Sequence, residues 1–200
     1  KKKIISVLTV LAIIIGTVPL GIMPVFAASS GTAVASTPAV RSSVTKSGTF
    51  TLTSAARLFI VSDADPTGSD LGTYVQTASS VLAAKNIPTS SPLTIVYGRE
   101  SAAQAGDIVI KTDSSVTGHR GGYVLDISAG GISITADDAE GVLYALTTLA
   151  QTCTSGTVLK CTTVTDWPDV AERSVYLDCG RIYFAPATLK ALIRTMAWNR

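Results

Sequence analysis

One histidine, two methionines, two tryptophans and three cysteines in 200 residues leave little material for chemistry that depends on those side chains. The cysteines stand at 153, 161 and 179 with no Cys-x-x-Cys pair and no histidine beside them, so zinc is disfavoured and no cofactor is implied. Charge is scarce too, at 15% of residues with a formal net charge of +2. Lys1, Lys2 and Lys3 account for that excess, and subtracting them from +2 leaves −1. A chain without a basic stripe has no electrostatic footprint for nucleic acid, and none of its segments offers a basic face to a membrane surface. No Gly-x-Gly-x-x-Gly follows a strand pattern, so a dinucleotide site is not supported either. What is plentiful is apolar surface: 46% of residues are hydrophobic, enough for a substantial core and too much for wholesale disorder.

The first residues form the clearest local pattern. Lys1–Lys3 are followed by an apolar run from Ile4 to Ile15, and Val25-Phe26-Ala27 places small residues at the usual cleavage positions. Gly16, Pro19, Gly21 and Pro24 break the run before the ~20 apolar residues that a membrane span prefers. A signal peptide at residues 1–27 is expected, with export to the medium or the cell surface of a bacterium. Residues 28–47 are Ser, Thr, Ala and Gly with little patterning and read as a linker.

Residues 48–165 read as one α+β domain. Thr49–Thr53, Arg57–Val61, Leu93–Tyr97 and Asp107–Lys111 have strand character, and Tyr123–Ile127 with Ile132–Thr135 form a hairpin across Ser-Ala-Gly-Gly. Asp70 is placed to cap a helix reaching about Lys85, and Asp137 with Glu140 makes a capping-box-like start to a second one. The expected architecture is an antiparallel sheet with two helices on one face. Cys153 and Cys161 flank the turn-like Thr154–Gly156, a spacing at which a disulfide would bridge a hairpin, which leaves Cys179 as a buried thiol. His119, among Gly118, Arg120, Gly121 and Gly122, reads as a solvated turn residue, and Asp137-Asp138 as a helix cap rather than a catalytic carboxylate pair.

The last stretch, Asp166 to Trp198, is a turn, a strand, a polar Asp-x-x-Arg step and an amphipathic helix. Val175, Leu177 and Cys179 alternate with Ser174, Tyr176 and Asp178, Arg181 follows, and Pro186 opens a helix striped by Leu189, Leu192, Ile193 and Met196. Such a unit suits the opening of a (β/α)8 barrel, whose chemistry sits at strand C-terminal ends, where Asp178 and Arg181 fall.

Three segments carry a family resemblance: GGISITADDAEGVLYALTTLAQ, DWPDVAERSVYLDCGR and ATLKALIRTMAWN. They resemble the N-terminal part of glycoside hydrolase family 20, the β-N-acetylhexosaminidases. The family's Gly-x-x-Tyr-x-x-x-Thr-Leu-x-Gln helix pattern falls on Gly141, Tyr144, Thr148, Leu149 and Gln151. The resemblance implies a non-catalytic α+β domain, then a barrel beginning near 166, and a substrate-assisted retaining hydrolysis in which the sugar's own 2-acetamido group attacks the anomeric carbon. It implies that Arg181 grips hydroxyls of the terminal N-acetylhexosamine, with Asp178 in support. The family's catalytic Asp-Glu pair would lie beyond Arg200, so that this stretch alone would be inactive. Arg181-Ile182-Tyr183 departs from the family's frequent Arg-His-Phe and is more similar to lacto-N-biosidase-like members. The competing readings are a carbohydrate-binding or adhesive surface module without catalysis, and a glycosidase of another family with a similar leading domain.

Overall fold

The computed structural model describes residues 33–62 and 69–200. The proposed signal peptide therefore lies outside the described residues. One seven-stranded sheet organises the chain, with strands β1 (Ser42–Thr51), β2 (Arg57–Val61), β3 (Thr94–Gly98), β4 (Ile108–Thr112), β5 (Tyr123–Ser128), β6 (Gly131–Ala136) and β7 (Val158–Asp166). Among the described residues three α-helices accompany it: α1 (Asp70–Ala84), α2 (Ala139–Cys153) and α3 (Pro186–Trp198). Among the described residues no helix is long and apolar enough to cross a membrane.

The sheet is mixed, which corrects the antiparallel expectation. Its order is β1-β7-β5-β6-β4-β2-β3. β1, β7, β5 and β6 pair antiparallel, whereas β6, β4, β2 and β3 run parallel. The parallel half follows from connectivity: α1 carries the chain from β2 to β3, and parallel neighbours require such a crossover. The hairpin β5–β6 forms as its sequence predicts, with Ser128 opposite Gly131.

Period-two burial turns one sheet face into the core. Leu58, Ile60, Ile108, Ile110, Leu125, Ile127, Ile132 and Ile134 join Val75 and Leu82 of α1 and Val142, Leu146 and Leu149 of α2 in a single cluster. Both domain helices thus cover the same face, as expected. Burying each such side chain is worth about 1.5–3 kcal/mol before entropy is counted, which makes this layer the source of stability. α2 is buried on nearly all sides, because residues 34–41 cross it. The side chain of Gln151 meets both the N–H and the carbonyl of Thr37 (2.8 and 3.1 Å), and the Thr152 hydroxyl donates to the Ala35 carbonyl at 3.3 Å. That lead-in is therefore pinned rather than a free linker, and β1 starts at Ser42, inside it.

Both caps fall one residue away from the expected position. Ser69, not Asp70, accepts from the Gly72 amide, and Asp138, not Asp137, accepts from the Gly141 amide. Asp137 instead holds the loop before β5, accepting from the Thr117 and Gly118 amides at 3.1 and 3.0 Å. Gly141 is required where it stands, because a Cβ there would lie 2.3 Å from the Gly122 carbonyl oxygen.

The barrel-type strand expected at Val175–Cys179 is not formed. Residues 171–185 contain no strand, and Tyr176 and Tyr183 are 88% and 83% exposed. Alternation prepares a segment for a sheet, but a lone strand has no ladder to satisfy its backbone, and none of the described strands pairs with it. α3 does form, with Pro186 in its first turn.

Candidate functional site

The two residues singled out for sugar binding come together. Nε of Arg181 lies 3.3 Å from Oδ2 of Asp178, and Oδ1 of Asp178 accepts from the Gly180 amide at 3.0 Å. The pair belongs to an exposed turn before α3, and the Arg181 side chain is 88% exposed. The contact aims the guanidinium and adds little stability, as exposed ion pairs do. With Nε turned to the carboxylate, the terminal nitrogens remain as further donors on an exposed side chain.

A second feature, a junction around Trp167, was missed by the sequence reading. A cleft of about 250 Å³ separates the sheet from the trailing segment, and Arg41, Tyr123, Tyr144, Asp166, Trp167 and Arg200 are among the residues lining it. Trp167 is held between two groups: His119 stacks on it at 4.5 Å between centroids, and the Arg41 guanidinium carbon lies 4.4 Å from its centroid. His119 is exposed, as a turn residue should be, but it is also a ring partner. Arg41 donates to the Trp167 carbonyl at 3.1 Å and pairs with Asp169.

Two further arginines complete the junction. Arg173 donates to the Tyr144 hydroxyl at 2.5 Å and to the Val170 carbonyl at 2.7 Å, while that hydroxyl donates to Glu140. Burial, with the bond to Glu140, pushes the Tyr144 phenol up to about 12. Nη1 of Arg200 reaches Asp166 at 2.7 Å, the Tyr123 hydroxyl at 2.8 Å and Thr148 at 2.9 Å, and Nη2 donates to the Pro38 carbonyl. Burial also pushes the Tyr123 phenol well above its usual value. Tyr144, Thr148 and Gln151 all belong to the helix motif quoted above. That motif was the available signal, although it does not name their partners.

The cysteines do not bridge. Cys153, Cys161 and Cys179 are all free; the first two are buried, while Cys179 is exposed rather than buried. Burial drives the Cys153 thiol up to about 12. Cys161 lies at an irregularity where two extra residues of β1 are accommodated between Thr45 and Thr49. Gly48, with φ of +96°, makes that bulge, and a Cβ there would stand 3.5 Å from the Cys161 sulfur.

Solved structures share this architecture. A β-N-acetylhexosaminidase from Streptomyces coelicolor A3(2) superposes with a TM-score of 0.63 at 23% identity, over 82% of this chain and 33% of that one. The N-acetyl-β-hexosaminidase of Streptomyces plicatus gives 0.62 at 24%, over 82% and 32%. A β-N-acetylhexosaminidase from Bacteroides fragilis NCTC 9343 gives 0.60 at 24%, over 80% and 30%. The chain thus spans about a third of the length of these enzymes. No curated protein sequence matches it. The family profile described as glycosyl hydrolase family 20, domain 2, matches residues 34–167, the sheet, both its helices and the strand that leads into Trp167. Through that domain the chain belongs to glycoside hydrolase family 20.

Proposed function

We propose that the chain is the leading part of an exported bacterial glycosidase that removes terminal β-linked N-acetylhexosamine, or lacto-N-biose, from glycans. One observation carries the reading: the domain 2 match ends at residue 167, and the Asp178-x-x-Arg181 step with its carboxylate-aimed guanidinium follows directly. Structures from Vibrio harveyi and Streptomyces plicatus, similar in fold, hold N-acetylglucosamine, which supports an N-acetylhexosamine as the ligand class.

In this reading residues from 166 onward open a catalytic barrel. Arg181 bridges neighbouring hydroxyls of the terminal sugar, and Asp178 fixes the direction of the fork. The acetamido group of the substrate then attacks the anomeric carbon. An Asp-Glu pair beyond Arg200 orients that group and protonates the leaving oxygen.

The test uses a chain extended beyond Arg200 through that pair. Arg181→Ala should lower kcat/KM on an aryl N-acetylglucosaminide or an aryl lacto-N-bioside by about 10- to 100-fold, the worth of one hydrogen bond to a charged group. Circular dichroism should be unchanged. Kinetics near the parent's on both substrates would remove Arg181 from the site. Export has its own check, since mass spectrometry of secreted material should find a new N-terminus near Ala28, and a retained Lys1 would contradict cleavage.

A further inference from the structure

We propose that the α+β layer grips the Arg181-bearing unit at both ends, with Arg173 and Arg200 as the two fasteners and α2 as the seat. The unit runs from the junction to the end of α3. Its first fastener lies eight residues before Arg181, where Arg173 reaches the Tyr144 hydroxyl and its guanidinium carbon sits 5.5 Å from the Tyr144 ring centroid. Its second lies just past α3, where Arg200 meets Asp166, Tyr123 and Thr148. The carbonyl of Trp198 accepts from Gln151 at 2.5 Å, and Lys85 stands 4.9 Å from the Trp198 ring centroid. Tyr144, Thr148 and Gln151 come from one helix, so a single rigid element receives both ends.

The energetics of the two fasteners differ. Arg173 belongs to a largely exposed segment, so its loss frees one end without burying a charge. The Arg200 and Asp166 side chains are 6% and 11% exposed, and removing one strands the other in a water-poor cleft. Nε of Arg200 has no partner, so this geometry leaves one of the guanidinium donors unsatisfied. Between the fasteners no residue of α3 is buried, so the ends carry the attachment. The grip stands on these contacts alone; its effect on the sugar rests on the function proposed above.

The two tryptophans report the two ends separately, Trp167 at the first and Trp198 at the second. In a Trp167→Phe background, Arg200→Met should raise acrylamide quenching of Trp198 about twofold, as expected for a locally released segment. Arg200→Lys should fall between Met and the parent. In a Trp198→Phe background, Arg200→Met should raise Trp167 quenching clearly less than Trp198 quenching, because Trp167 keeps its contacts with His119 and Arg41. Unchanged Trp198 shielding, or equal loosening of both tryptophans, would overturn the grip. In the extended enzyme, Arg200→Met and Arg173→Met should each raise KM about fivefold with kcat near the parent's, because Arg181 is misplaced rather than lost. A lowered kcat at constant KM would mean only fewer folded molecules and would overturn the positioning role. An extended parent without glycosidase activity would sink the hydrolase reading, yet the quenching result would still decide the grip.

Discussion

Residues 42–166 and residues 171–198 use similar materials and reach different states. In the first region each strand has a neighbour, and the buried faces of the central strands join α1 and α2 in one core. In the second, Val175, Tyr176, Ile182, Tyr183 and Ile193 stand exposed, and the alternation from Ser174 to Cys179 closes no ladder. Apolar residues at the right period thus make a layer only where a second surface is present to receive them. The first region is self-sufficient. The second has the pattern of a layer and lies against α2 through its ends.

The largest effect should separate these regions directly. Ile134, fully buried at the centre of β6, should cost about 2–5 kcal/mol when cut to Ala, since the cavity adds to the lost transfer energy. Ile193→Ala on α3, 64% exposed, should stay within about 0.5 kcal/mol. Urea unfolding of both variants checks this, and equal losses would erase the distinction.

Acid should act on the first region in a predictable direction. Two bonds from Arg57, at 2.8 and 2.6 Å, hold the Asp107 carboxyl below its usual value, against the opposing effect of burial. A depressed native value means that the contribution is complete above the unfolded carboxylate's pKa of about 3.9 and is lost as pH falls through the native one. Asp107→Asn should therefore cost about 2 kcal/mol near pH 6, and the gap to the parent should narrow as the pH falls below about 3.9. Urea midpoints across that range test it, and a gap that widens in acid would reverse the assignment.

The smallest effect concerns the thiols. Iodoacetamide should modify Cys179 rapidly in the native chain, while Cys153, buried with its thiol raised to about 12, stays unmodified until urea is added. Peptide mapping reads both sites. Native labelling of Cys153 at the rate of Cys179 would show that the first region opens as readily as the second.

What the sequence revealed follows the same division between local and distant causes. Arg57–Val61, the α1 helix, the β5–β6 hairpin, α2 and the Pro186 helix were all legible, because each rests on periodicity or turn chemistry within a short window. The parallel half of the sheet was not, since pairing β2 with β4 and β4 with β6 is decided by how the crossovers pack. β7 was missed altogether: Val158–Asp166 is a threonine-rich strand whose alternation breaks at the bulge opposite Gly48. At the site, Asp178 and Arg181 were legible as neighbours three positions apart. Arg41, Arg173 and Arg200 were not, because a surface-type residue becomes a junction residue only when a distant chain arrives beside it.

The pairing of β1 with β7 has a consequence for how the molecule is made. Ser42 sits opposite Thr165, about 120 residues later, so among the described strands β1, at the sheet's edge, finds its neighbour in β7. The sheet's rim cannot be sealed by the early sequence alone. A nascent chain must keep its opening threonine-rich strand unpaired until synthesis has passed Asp166, and the native edge closes as a late act of assembly.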